Sequence, residues 1–130
     1  MEYAQANYPP QFKRYCKTLP LPADGALIQQ YRQAHAPGAV WPDINQGLRE
    51  IGVLRMEIYL AGQQLFMLMD TVADFDHDHA MAALATMPRQ AEWEAFVGQF
   101  QQTPSASTAD QKWQLMERIY ELESPAAATK

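Results

Sequence analysis

The sequence predicts an α+β domain of the split βαβ, ferredoxin-like kind. Its centre carries two apolar stretches, residues 53–60 and 65–70, divided by an Ala61-Gly62-Gln63 turn; together they read as a β-hairpin. Helix-period segments stand on both sides of that hairpin, two before it and two after. A shorter alternating segment near each end of the chain supplies one more strand. The order is therefore strand, two helices, hairpin, two helices, strand, with helices joining the first two and the last two of four strands.

Each element has a local reason. Residues 12–19 place Phe12, Tyr15 and Leu19 among polar neighbours, and Pro20 and Pro22 end the strand. Asp24 is suited to capping a helix on which Leu27, Ile28, Tyr31, Ala34 and His35 share a face, and Pro37-Gly38 stops it. Pro42 sits well at a first helical position; Ile44, Leu48 and Ile51 form the next stripe, and Gly52 suits the left-handed position that follows. In the first hairpin strand Leu54, Met56, Ile58 and Leu60 fall on one face, and Arg55, Glu57 and Tyr59 on the other. Helices are expected over residues 77–87 and 89–102, either side of Pro88, the second with a stripe of Trp93, Phe96, Val97 and Phe100. Residues 103–110 read as a loop and 113–122 as the last strand. One domain over residues 11–123 is expected, with 1–10 and 124–130 as flexible ends.

Right-handed crossovers put the helices on one side of such a sheet. The other side would stay apolar, so a second copy of the chain is the expected cover, making a homodimer. A composition of 48% hydrophobic and 19% charged residues is that of a globular chain. A net charge of −5 argues against a nucleic-acid-binding face, which needs a basic excess. Cys16 is the single cysteine, which rules out an internal disulfide or a thiolate-rich metal site. Residues 1–12 lack a basic-then-apolar leader pattern, and the longest apolar run, residues 80–85, is far short of the roughly 20 a membrane helix needs. No membrane partner and a cytoplasmic location are the expectation.

Several constellations could carry chemistry. Tyr31 and His35 lie one helical turn apart, and a phenol beside an imidazole can serve as an acid/base pair or as a core tyrosine with a helix-end histidine. Trp41 could line a pocket mouth or pack its loop against the domain; Trp93 could be a core anchor or a stacking surface for a sugar ring. Glu57 could be a structural partner of Arg55 or Arg118, or could bind hydroxyls and trade protons. The run from Asp74 to His79 resembles a metal motif, but adjacent residues do not face one centre, and Asp76 reads better as a helix cap. A metal-dependent hydrolase using Asp76, His77 and His79 is the weakest of the readings. No glycine-rich phosphate loop and no nucleophile elbow is present.

Several stretches together resemble the rhamnose mutarotase family and its fucose-directed relatives. They are Tyr31-Arg32-Gln33-Ala34-His35, Pro37-Gly38-Ala39-Val40-Trp41-Pro42, Gly52 with Met56-Glu57-Ile58-Tyr59, and Leu65-Phe66-Met67-Leu68-Met69. Glu92-Trp93-Glu94, Phe100-Gln101, Lys112-Trp113 and Met116-Glu117 follow in the family's order. No single piece is specific; the ordered set is. The resemblance implies a dimeric α/β barrel of ferredoxin-like subunits and a cofactor-free epimerase acting at the anomeric carbon of a 6-deoxy-hexose. It implies that Tyr31 and His35 meet the sugar, with His35 as proton donor. Of the family's paired tryptophans only Trp93 is kept, with Glu92 in the first place, and a strand tyrosine is replaced by Met56. The Met56–Tyr59 strand looks more like the fucose-directed branch.

On this reading His35 protonates the ring oxygen, Tyr31 orients it and binds substrate, Glu57 is the complementary base or hydroxyl anchor, and Trp93 is the stacking surface. Trp41, Met56 and Glu92 complete the expected substrate contacts, and neither a metal nor a cofactor is called for. The alternative is a non-catalytic small-ligand binder or a cofactorless oxygenase on the same dimeric barrel, because one fold hosts many activities.

Overall fold

A computed structural model describes residues 10–104 and 106–122. The first strand, β1 (Lys13–Pro20), leads into α1 (Gly25–Ala34) and α2 (Pro42–Glu50). The hairpin β2 (Val53–Ala61) and β3 (Gln64–Thr71) comes next, then α3 (His77–Leu84), α4 (Gln90–Gln101), the short α5 (Ala109–Lys112) and β4 (Gln114–Leu115). The sheet order is β2-β3-β1-β4, antiparallel throughout. That is the interleaved order expected from the sequence, with β3 between β1 and β2, and β1 between β3 and β4.

The boundaries follow from local chemistry. The Asp24 carboxylate accepts from the Ala26 and Leu27 amides and starts α1. Pro42 opens α2, where its missing N–H costs nothing. Gly52 has φ +107°, and a Cβ there would meet Val72 Cγ2 at 3.0 Å and Phe75 Cδ1 at 3.3 Å. Only glycine allows both that backbone turn and the close packing of the α2–β2 junction on the loop after β3. Asp76 accepts from the His79 amide and caps α3, so the Asp/His run is a helix start. Among the described residues no group of three His, Cys, Asp or Glu side chains gathers to hold a metal ion.

Three local expectations need correction. A β-bulge between Val53 and Arg55 breaks the simple alternation of β2, so Leu54 leaves the face of Met56 and Ile58 and is exposed. The segment expected to be loop ends in the first turn of α5, which starts at Ala109 and is opened by a Thr108–Gln111 capping box. The last strand is far shorter than residues 113–122. Only Gln114 and Leu115 pair with β1, with one further bond from the Met116 amide to the Cys16 carbonyl. Beyond them Ile119, Tyr120 and Leu122 are 89%, 74% and 81% exposed, so their alternation packs against nothing among the described residues. Of the expected flexible ends, residues 1–9 and 124–130 lie outside the described residues.

Leu19, Leu65, Met67 and Met69 on the sheet pack with Leu21, Tyr31, Phe75, Ala80 and Trp113 in the main core. Ile44, Trp93 and Val97 form a second cluster between α2 and α4, backed by Trp41, Leu48 and Phe96. The strand registers put Tyr15, Lys17 and Leu19 of β1 on the face of Leu65, Met67 and Met69 of β3 and of Met56 and Ile58 of β2. All five helices contribute side chains to that face. No described helix is long and apolar enough to cross a membrane.

Candidate active site

Between the sheet and the helices lies a cavity of about 310 Å³. This is at the lower end of the range for small-molecule sites, about 300–1,000 Å³. Its floor is sheet: Lys17, Met56, Ile58, Met67 and Met69. Tyr31 and His35 of α1, and Gln90, Trp93, Glu94 and Gln101 of α4, form the polar and aromatic wall.

The i, i+4 spacing of Tyr31 and His35 brings their rings together, but by stacking: the centroids are 4.3 Å apart and the planes 29° from parallel. The hydrogen bond of the imidazole goes to the backbone. His35 Nδ1 lies 2.9 Å from the Tyr31 carbonyl oxygen, which only accepts, so Nδ1 carries hydrogen and Nε2 holds the exchangeable lone pair. Burial pushes the His35 pKa below its ordinary 6.5, against the opposing pull of that backbone bond and of Glu94. The imidazole is therefore mainly neutral at pH 7. Burial raises the Tyr31 phenol far above its ordinary value, the Gln101 amide opposing and Glu94 reinforcing the shift, so the phenol keeps its proton.

Trp93 is 5% exposed and meets His35 edge-on at 5.5 Å. Behind it, Trp41 packs edge-on at 5.2 Å and stacks on Phe96 at 5.5 Å, with the Arg89 guanidinium 4.2 Å above the Trp41 ring. Trp41 thus supports Trp93 and is not part of the cavity wall. Met56 is on the floor, as expected.

Two further expected residues are elsewhere. Glu57 follows Met56 on the strand and so points to the opposite face, where Oε2 is 3.2 Å from Arg55 Nη2. The Arg55 pairing anticipated as one reading is the one present; Arg118 pairs with Glu121 instead. Glu92, although next to Trp93 in sequence, is exposed and lies 3.6 Å from Arg89 one helical turn before it, outside the cavity wall.

The carboxylate that does face the cavity is Glu94, which sequence reasoning passed over as a site residue. Lys112 Nζ donates to Glu94 Oε1 at 2.9 Å and to the Glu94 carbonyl at 2.6 Å, and Gln90 Nε2 donates to Oε2 at 2.7 Å. Both oxygens are therefore engaged, which holds the carboxylate rigid beside Tyr31 and His35. The signal was available: Gln90, Glu94 and Gln101 recur on the same helical face as Trp93 and Val97, a polar stripe set inside an apolar one. Lys17 was missed too, because alternation in β1 marks a lysine as solvent-facing until the sheet is assembled.

The fold and cavity define a small α+β protein in which a phenol, an imidazole, an indole and a carboxylate line one cavity between sheet and helices. A family model described as L-rhamnose mutarotase matches residues 14–122, and the chain belongs to that family, whose members interconvert sugar anomers. It is 37% identical over 110 residues to an L-fucose mutarotase of Xanthomonas campestris pv. campestris, covering 85% of this chain and 88% of that protein. It is 33% identical over 116 residues to a UPF0734 protein of Dictyostelium discoideum, covering 86% of this chain and 91% of that one. The fold is similar to that of an L-rhamnose mutarotase of Formosa agariphila, with a TM-score of 0.64 at 21% identity over 85% of this chain and 99% of that structure.

Proposed function

We propose that this protein is a mutarotase that interconverts the α and β anomers of a 6-deoxy-hexose, L-fucose or L-rhamnose, by acid/base ring opening and closure. The observation that carries this reading is the convergence of Tyr31, His35 and Trp93 on one cavity of monosaccharide size. Met56, Ile58, Met67 and Met69 offer an apolar floor to a methyl group in place of a hydroxymethyl.

The chemistry follows from a neutral histidine. Nε2 of His35 accepts the proton of the anomeric hydroxyl, and the imidazolium so formed delivers it to the ring oxygen as the C1–O5 bond breaks. Both oxygens are carried by C1, so one imidazole can serve both. The open aldehyde rotates about C1–C2. O5 then closes on the other carbonyl face, its proton returning through His35 to the anomeric oxygen. No electrons are gained or lost. Tyr31, fixed as a neutral phenol, donates a hydrogen bond to the sugar, and Trp93 packs on the ring. Glu57 has no part in this scheme, because its ion pair lies on the other face of the sheet.

A homodimer forming a dimeric α/β barrel remains part of the proposal. It is supported by the exposed Leu115, Met116, Ile119, Tyr120 and Leu122 at the end of the described chain and by Leu54 and Tyr59 on β2. A non-catalytic binder or an oxygenase gains no support from the family match. Saturation-transfer NMR of anomer exchange on L-fucose and L-rhamnose, with no metal added, tests the activity: accelerated exchange of one or both is expected, and unaccelerated exchange of both contradicts it.

A further inference from the structure

We propose that Lys17 is a substrate-contacting residue: its ammonium fixes an oxygen of the sugar from the sheet side of the cavity and thereby sets which sugars are retained. This rests on the mutarotase reading above.

Lys17 lies mid-strand on β1, between Met67 of β3 and Leu115 of β4, and is the one charged residue among the apolar side chains of the cavity floor. It is 1% exposed, yet its side-chain ammonium forms no hydrogen bond or ion pair with any described residue. The other buried lysine is its opposite: Lys112 spends its donors on Glu94 twice. Burying an ammonium without a partner is costly, and an arrangement that leaves three N–H donors unused beside a cavity is one suited to an oxygen-rich occupant.

The surrounding charges leave that capacity open. Glu94 of α4 is occupied by Lys112 and Gln90. Asp110 of α5 and Asp78 of α3 favour the ammonium from a distance, although burial outweighs them and lowers the Lys17 pKa. His35 and Tyr31 of α1 present no negative charge. A hydroxyl or ring oxygen held by Lys17 would place the sugar between the sheet and the His35 wall, with its methyl group free to rest on Met56, Ile58, Met67 or Met69.

The test is exchange kinetics of Lys17→Met beside the wild type on L-fucose and L-rhamnose, with thermal melting of both proteins. Losing a charged hydrogen bond should raise KM about 10- to 100-fold. The melting temperature should stay the same or rise, because an unpaired buried charge is removed while the alkyl stem is kept. An unchanged KM overturns the proposal, as does a variant whose only defect is a lower melting temperature. Should Lys17→Met not fold, Lys17→Gln carries the same two readings. Wild-type protein that accelerates exchange of neither sugar removes the mutarotase reading and this inference with it; an active wild type with an indifferent Lys17→Met removes this inference alone.

Discussion

On the helix-covered face of the sheet, Lys17 lies among methionines, opens onto a cavity and has no side-chain partner among the described residues. On the opposite face Arg14 grips Asp70 through two bonds of 2.7 and 3.0 Å, and Arg55 meets Glu57 at 3.2 Å. Both faces carry charged side chains; the difference is whether a charge is satisfied within the protein. Charges on the outer face are paired within the protein, whereas the inner face keeps an ammonium and a neutral imidazole in reserve. Glu94 shows the intermediate case, a cavity carboxylate locked by Lys112 and Gln90 so that it shapes the field around His35 without being available as a mobile base.

The largest effect expected from disturbing this contrast is at Glu94. Glu94→Gln leaves the fully buried Lys112 side chain without its counter-charge, and breaking such a pair costs about 3–5 kcal/mol. Chemical denaturation should register that loss; a change below 1 kcal/mol on the order expected of surface pairs would mean the inner pair is no more demanding than an outer one. Next comes substrate choice. L-galactose is L-fucose with a hydroxyl on C6, and an apolar floor discriminates against one added hydroxyl by at most about 100-fold. Competition experiments should find L-fucose favoured within that bound, and a preference for L-galactose would mean that the floor does not receive C6.

The pH dependence is smaller per unit but fixed in sign. Catalysis by neutral His35 requires kcat/KM to fall about tenfold per pH unit below the depressed His35 pKa, and to level off above it. A rate that instead declined as pH rose through the same region would make the imidazolium the resting form. Stability follows the same group. The unfolded chain binds the proton more readily, so the contribution of neutral His35 is complete above 6.5 and is lost as pH falls through the folded pKa. Smallest is Glu57→Gln, where the pair with Arg55 is partly exposed and worth about 1 kcal/mol or less to stability. A larger loss in urea unfolding would show that the outer face is more enclosed than the pair suggests.

The sequence made the architecture legible because it is written in local terms. Asp24, Pro42, Gly52 and Gly62 punctuate the chain, and period two gives way to period 3.6 where strands give way to helices. Tyr31, His35, Met56 and Trp93 were legible for the same reason, since spacing and motif order place them on the faces they occupy. Glu57 lies away from the cavity, which could not be read ahead because alternation says which neighbours share a face and leaves open which face is covered. The bulge at Leu54 and the two-residue length of β4 depend on pairing with β3 and β1, and that pairing is long-range. Lys17 and Glu94 belong to the same class: their meaning appears only when β1, α4 and α5 meet around one cavity.

The most direct test compares the two faces in a single assay. Saturation-transfer NMR of L-fucose anomer exchange should show His35→Ala slower than wild type by about 10²–10⁴-fold, the usual contribution of a positioned acid/base group, while Glu57→Gln matches wild type. Exchange that survives His35→Ala but is lost in Glu57→Gln would contradict the account, because the chemistry would then lie on the face away from the cavity.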